Sequence, residues 1–304
     1  AAEKHPIIMV LVILFAVAIV LGGAMVAVLK ILTPSSALFF KEKIGVVTID
    51  GTISKSLPIT SQLVKFRKDP SIKAIILRIN SPGGSIGPTQ EIYREVQKIT
   101  PLKKVVVSMG AVAASGGYYI ASAANRIVAN PGTITGSIGV LMEFIRIEDL
   151  MKKVGVDLEI MKSGEFKDLG SPDRKLTERD RAILDRLIKD LQKQFVEAVA
   201  LGRSLSVEKV NRIADGRVFS GAMAKELGLV DALGNFQDTV DITKEMAGIK
   251  GEVSLVYGEE KKSKLWNLLF QAGTRFFRSL MSDTGGMMQY RWNGFNLNHI
   301  KENY

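Results

Sequence analysis

Val105-Val-Val-Ser108-Met-Gly-Ala-Val-Ala-Ala-Ser115-Gly-Gly-Tyr-Tyr-Ile120 is the stretch on which the reading of this chain turns. Its first three residues are β-branched and apolar and read as a short buried strand, while residues 118–124 read as a helix packed through small side chains. Ser115 then stands at a strand-to-helix turn, followed by two glycines that let a backbone approach a ligand closely. A helix starting there directs its free N–H groups, and the positive end of its dipole, toward whatever Ser115 touches. A serine in that place is ordinarily a helix N-cap. It also suits a nucleophile whose own turn supplies part of an oxyanion hole.

Outward from this stretch the chain alternates strands and helices. Strands are predicted over 44–51, 73–80, 105–107, 126–129, 156–161 and 253–257. Helices are predicted over 61–68, 88–99, 177–201, from 206, over 221–227 and over 235–246. The alternation predicts an α/β fold with a mainly parallel sheet covered by helices. A second glycine turn, Pro82-Gly-Gly84, ends the neighbouring strand, and in an open parallel sheet both turns fall on the ligand-binding side. Gly84 and Gly116 are the backbone N–H candidates for an oxyanion. By itself Pro82-Gly-Gly84 reads as a plain turn, and no G-x-G-x-x-G dinucleotide fingerprint is present. Ala111, Ala113 and Ala114 suggest a shallow apolar pocket beside Ser115.

Composition removes several chemistries. The 304 residues contain no cysteine and two histidines, His5 before an apolar run and His299 in a polar tail. A Ser-His-Asp triad, a thiol nucleophile and a Cys/His metal site are therefore not expected, and neither is any metal or cofactor. A nucleophilic serine would take its base from lysine, and Lys167, in a short segment ahead of Pro172, is the candidate. To act, it must be neutral part of the time, as burial would favour. The rival pair Ser206 and Lys209 reads as a helix cap and a first-turn lysine. The net charge of +10 is spread along the chain without an aromatic-plus-basic stripe, so no nucleic-acid partner is expected, and some affinity for anionic lipid is.

At the N-terminus, residues 7–29 are apolar and uncharged, which predicts a retained transmembrane helix. Near the other end, residues 263–282 read as a basic amphipathic helix that lies on a membrane or docks a subunit.

Four motifs in this order carry a resemblance: residues 80–84 (Asn-Ser-Pro-Gly-Gly), 108–121 around Ser115, 133–139 (Thr-Ile-Thr-Gly-Ser-Ile-Gly) and 162–168 (Lys-Ser-Gly-Glu-Phe-Lys-Asp). Over about residues 40–250 the chain resembles the signal peptide peptidase A, or protease IV, family. The resemblance implies a Clp-protease/crotonase-like fold and a serine peptidase with a Ser-Lys dyad. Ser115 would be nucleophile, Lys167 general base, Ser137 the serine that positions the lysine, and Gly84 and Gly116 the oxyanion donors. It further implies a homo-oligomeric ring whose sites draw serine and lysine from neighbouring subunits. The expected location is the cytoplasmic (inner) membrane, single-pass, with the catalytic domain outside. Signal peptides and other peptides are the expected substrates. The division expected is an anchor (1–32), a linker (33–43), a protease domain (44–258) and a tail (259–304). A crotonase-type acyl-CoA enzyme and a non-catalytic membrane scaffold of the same fold are the alternatives.

Overall fold

The computed structural model describes residues 6–32, 41–258 and 289–291. The chain divides into two compact units, residues 1–41 and 42–304. The first is built on α1 (Pro6–Leu32), a 27-residue helix. Its described side chains include Leu14, Phe15, Val20, Leu21 and Met25, all exposed. Side chains are described continuously only over 13–25, and among the described residues no helix is long and apolar enough to cross a membrane. The predicted linker segment 33–40 and the predicted amphipathic helix over 263–282 lie outside the described residues.

The second unit runs β1 (Glu42–Asp50), α2 (Leu57–Lys68), β2 (Ile72–Ser81), β3 (Gly83–Ser85), α3 (Ile86–Ile99), β4 (Lys104–Ala114) and α4 (Gly116–Ser122). It continues through β5 (Arg126–Ala129), β6 (Ile134–Gly136), α5 (Glu148–Lys153), α6 (Glu178–Arg203), α7 (Val207–Asn211), β7 (Val218–Ser220) and α8 (Gly221–Glu226). It closes with β8 (Ala232–Leu233), α9 (Phe236–Ala247), β9 (Val253–Tyr257) and β10 (Gln289–Arg291). The main sheet has eight strands along the path β7-β6-β4-β2-β1-β9, with β5 beside β4 and β8 beside β5. Every pairing in it is parallel except β6 with β7. The mainly parallel α/β architecture is the one the alternation predicts.

Helices cover both faces of the central strands, which is why those strands read as nearly unbroken apolar runs. In β1 and β2, Ile44, Val46 and Ile76 pack with Val240 of α9 and with Ile249. Their alternates Val47, Ile49, Ile75, Leu77 and Ile79 face the larger core with Leu63, Phe66, Ile92 and Val96 of α2 and α3. Gly45 gives Phe66 its seat, since a Cβ there would stand 2.5 Å from the ring.

β4 is where the sheet forks. Val106–Ser108 pair with β5, whereas Val112–Ala114 pair with β6 on the same edge. Against β2 the register slips: Ile79 faces Met109 but Ser81 faces Ala113, four residues of β4 against two of β2. The Asn80 side chain fills the irregularity, accepting the Val112 N–H at 3.3 Å. The strand predicted over 105–107 thus extends to Ala114 and runs straight into Ser115.

One predicted strand is absent. Residues 156–161 form no strand, and Val156, Leu158, Ile160 and Met161 are exposed. Their polar–apolar alternation imitates a half-buried strand, yet among the described residues no sheet edge receives it.

Candidate active site

Ser115 joins β4 to α4 at φ 53°, ψ −118°, a conformation that non-glycine residues adopt only under constraint, at a cost of about 1–3 kcal/mol. The constraint is visible on both sides. The Ser115 N–H donates to the Gly136 carbonyl at 2.8 Å, and its carbonyl accepts from the Tyr119 N–H at 2.8 Å. All of α4 is buried, and the Tyr118 hydroxyl donates to the Leu229 carbonyl at 2.9 Å from a fully buried ring whose burial pushes its pKa up.

Ser115 occupies the N-cap position of α4, but its side chain caps nothing. Its Oγ is buried and without a hydrogen-bond partner among the described residues. Leaving such an atom unpartnered costs about 1–3 kcal/mol in addition to the backbone strain. The capping reading of this serine therefore fails. By contrast Ser206 accepts the Lys209 N–H at 3.1 Å, the cap its sequence predicts.

The two glycine turns meet. A Cβ on Gly116 would lie 2.8 Å from Thr89 Oγ1 and 3.3 Å from both Gly83 Cα and Gly84 N. As first residue of α4, Gly116 has no partner for its N–H within the helix. Gly84 lies in β3. Its neighbours bind Ile53, with the Ile53 N–H donating to the Gly83 carbonyl at 2.9 Å and the Ser85 N–H to the Ile53 carbonyl at 2.7 Å. Strand alternation turns the N–H and C=O of Gly84 to the opposite edge. On that edge lies β10, antiparallel, with Tyr290 opposite Gly84. Ser81 Oγ accepts the Gly83 N–H at 3.1 Å and holds the turn.

Replacing Gly84 by alanine is expected to break this corner, because the new Cβ would sit 2.2 Å from the Ile53 carbonyl oxygen and 2.6 Å from its nitrogen. Backbone cannot yield as a flexible side chain does. A destabilisation of about 1–3 kcal/mol is expected, read as a fall in melting temperature together with loss of activity. A Gly84→Ala chain with unchanged melting would contradict the geometry.

Ser137 completes the cluster. It follows Gly136 at φ 49°, is buried, and donates its N–H to the Arg217 carbonyl at 2.9 Å. The structure thus brings Ser115, Gly84, Gly116 and Ser137 into one corner. It does not bring Lys167 into hydrogen-bond contact with Ser115 in the same chain. Lys167 is exposed on the turns of residues 162–171, with its N–H on the Gly164 carbonyl at 3.2 Å. Of the three alanines predicted to line a pocket, Ala113 and Ala114 are fully buried within β4 and Ala111 is exposed. Ile53 instead borders a cleft of about 530 Å³ shared with Asp50, Lys55 and Gln62. No group of His, Cys, Asp or Glu among the described residues is placed to hold a metal ion.

Two roles escaped the sequence. The Gly136 carbonyl fixes Ser115, and the only advance signal was a glycine between Thr135 and Ser137 where the backbone takes φ +78°. The second is the ionic network around Asp168, whose signal is its place directly after Lys167.

A buried, unpartnered serine on a strained turn, flanked by close-approach glycines on a parallel α/β sheet, defines a hydrolase-like site. Residues 98–250 match the family model of peptidase family S49, and residues 31–133 match that of Clp protease. A candidate protease of Synechocystis sp. is 43% identical over 210 residues, covering 69% of this chain and 76% of that protein. A candidate signal peptide peptidase of Enterococcus faecium is 38% identical over 186 residues, 61% of this chain and 54% of its own. Protease 4 of Salmonella typhi is 40% identical over 191 residues, 62% of this chain and 31% of its own. The chain belongs to peptidase family S49 and is a serine peptidase.

Proposed function

We propose that this chain is a membrane-anchored endopeptidase that degrades residual signal peptides, with Ser115 as nucleophile and Lys167 of a neighbouring copy as general base. The observation that carries the reading is the Ser115 hydroxyl: buried, unpartnered and held on a strained turn beside Gly84 and Gly116. Lys167 Nζ takes the proton from Ser115 Oγ, and Oγ attacks the carbonyl carbon of the peptide bond. The N–H groups of Gly84 and Gly116 receive the oxyanion. The leaving amine takes the proton back from the Lys167 ammonium as the C–N bond breaks. A water, deprotonated by Lys167, then releases the acyl group and restores Ser115. Ser137, beside the turn, would hold the lysine.

Three features support the finer parts. The edge of β3 accepts an extended segment, since the chain's own residues 289–291 lie along it as an antiparallel strand, and a peptide would bind there by taking the place of that strand. Assembly into a ring of copies is supported by the exposed apolar side chains leading to Lys167, among them Leu141, Ile145, Leu150, Val154 and Met161. Anchoring is supported by α1, whose 27 residues extend roughly 40 Å and whose described side chains, at 10, 13–25 and 28, are apolar and exposed. A single pass through the cytoplasmic membrane with the protease domain outside gives the enzyme access to its substrates. The tail and the anchor would both contact lipid.

A crotonase-type acyl-CoA enzyme would use the same oxyanion donors without needing the serine. A fluorophosphonate probe separates the readings. Covalent labelling located at Ser115, and abolished by Ser115→Ala, is expected. A wild-type chain that stays unlabelled while turning over peptide would remove Ser115 from the mechanism.

A further inference from the structure

The segment that carries Lys167 has little to hold it in place by itself. Residues 162–172 form no helix or strand, and their turns are closed by Lys167 N–H to Gly164 O at 3.2 Å, Leu169 N–H to Phe166 O at 3.1 Å and Ser171 N–H to Asp168 O at 3.0 Å. A base displaced by about 1 Å can lose about 10²-fold in rate, so a turn-rich carrier needs outside support.

Such support brackets Lys167 on both sides. Downstream, the Asp168 carboxylate receives Arg174 Nε and Nη2, each at 2.9 Å, in the two-pronged geometry that makes guanidinium–carboxylate pairs strong. Lys162 Nζ donates to both oxygens of Asp168 at 2.8 Å. Arg174 then reaches onward, its Nη1 donating to Asp180 Oδ2 at 2.5 Å. Asp180 is buried in the first turn of α6 and closes a capping box, accepting the Thr177 N–H at 2.9 Å while its own N–H donates to Thr177 Oγ1 at 3.1 Å. Upstream, Arg179 of the same turn donates to Glu165 at 2.7 Å and stands 5.2 Å from the Phe166 ring centroid.

The two tethers differ in weight. Glu165 and Arg179 are both more than half exposed, and such pairs contribute little. Asp168 and Asp180 are 10% and 2% exposed in their side chains. The cap of α6 requires only Thr177 and Asp180, so helix stability leaves Arg174 and Asp168 unexplained. The side chain left out of the network is Lys167 itself.

We infer that Asp168, Arg174 and Asp180 are the positioning residues of Lys167, a carboxylate–guanidinium–carboxylate relay that fixes the lysine to the N-terminus of α6. The inference rests on Lys167 being the general base. The relay stays charged wherever that base works: hydrogen bonds from Arg174 and then Lys162 hold the Asp168 carboxyl far below the usual carboxylate range, and Arg174 with Thr177 holds Asp180 at about 2. It also balances charge. The ionic groups on its own segment are Lys162, Glu165, Asp168, Asp173, Arg174 and Lys175; Arg179 and Asp180 of α6 pair with this segment, and Glu148 of α5 faces Lys175. Within this set Asp168 is the anion next to the lysine, and Lys162 and Arg174 offset it.

The test is the pH dependence of kcat/KM of the full chain on a short chromogenic peptide, with melting temperatures alongside. Asp168→Asn leaves Lys162 and Arg174 unopposed, disfavours the Lys167 ammonium, and is expected to move the rising limb to lower pH. Arg174→Gln leaves Asp168 less neutralised and is expected to move the limb to higher pH. Both should lower the plateau about 10- to 100-fold. Arg174→Lys restores the charge without the fork, so the limb should return toward wild type while the plateau stays low. Should a variant melt below assay temperature, its profile is taken at a temperature where it is folded, and the direction of its limb still decides. Limbs that stay put, or move the same way in both variants while Lys167→Ala is dead, make the relay purely structural and overturn the inference. A Lys167→Ala chain that keeps its activity instead removes the base assignment, and the inference falls with it.

Discussion

Ser115→Ala and Lys167→Ala are each expected to lower kcat/KM for a peptide substrate by about 10⁴-fold, with the double variant barely worse than either. Nucleophile and base act as one unit, so removing either abolishes the proton transfer that makes the other useful. What remains is the turnover supported by the oxyanion donors alone. The stability of the serine variant carries separate information. Alanine at position 115 keeps the strained backbone but removes a buried, unpartnered hydroxyl. The desolvation cost of that oxygen, about 1–3 kcal/mol, disappears with it. Ser115→Ala should therefore melt higher than wild type, by about 2–4 °C for each kcal/mol gained in a domain of this size. Activity lost together with stability gained is what a strained functional group predicts. If Ser115→Ala melted clearly lower, its hydroxyl would be a structural group with an unseen partner. Losses that multiply in the double variant would mean that the two residues do not share a proton.

The rate should also rise with pH toward a plateau, because the lysine acts only when deprotonated. The same requirement explains why Lys167→Arg should be as inactive as Lys167→Ala: a guanidinium does not deprotonate in proteins.

The parallel α/β architecture was legible because its strands are buried on both faces, leaving unbroken apolar runs such as Ala74-Ile-Ile-Leu77. The glycine turns were legible for a related reason, since backbone close approach admits only glycine, and a Cβ on Gly116 would stand 3.3 Å from Gly84 N. The fork of β4 was not. It depends on a register slip accommodated by Asn80, an ordinary residue whose part appears only when β2 and β4 lie side by side. Nor could periodicity distinguish residues 156–161 from a strand, because alternation records which faces want burial and not what buries them. At Ser115 the local pattern pointed first to a cap. Only the absence of a capping hydrogen bond, together with φ 53°, separates the two roles, and neither quantity is written in residue types.

Mixing two dead chains is expected to restore activity. In one chain Ser115 Oγ has no partner and Lys167 is exposed, so each half of the dyad is presented without the other. The apolar side chains on the approach to Lys167, from Leu141 to Met161, are uncovered and would be buried by a second copy. On the proposed arrangement, a Ser115→Ala chain still presents an intact Lys167 to its neighbour, and a Lys167→Ala chain still holds an intact Ser115. Mixed equally before assembly, random neighbours pair an intact serine with an intact lysine at about one site in four, so about a quarter of wild-type activity should return. Each variant assembled alone stays near zero, giving a contrast of about 2,500-fold against the single-variant baseline. Fluorophosphonate labelling should recover in step, confined to the Lys167→Ala chains. Co-assembly must be checked separately, by pulling down one chain through a tag on the other. Confirmed co-assembly with no recovered activity would place serine and lysine within one chain, and Lys167 would then have to move inward from its exposed position to reach Ser115.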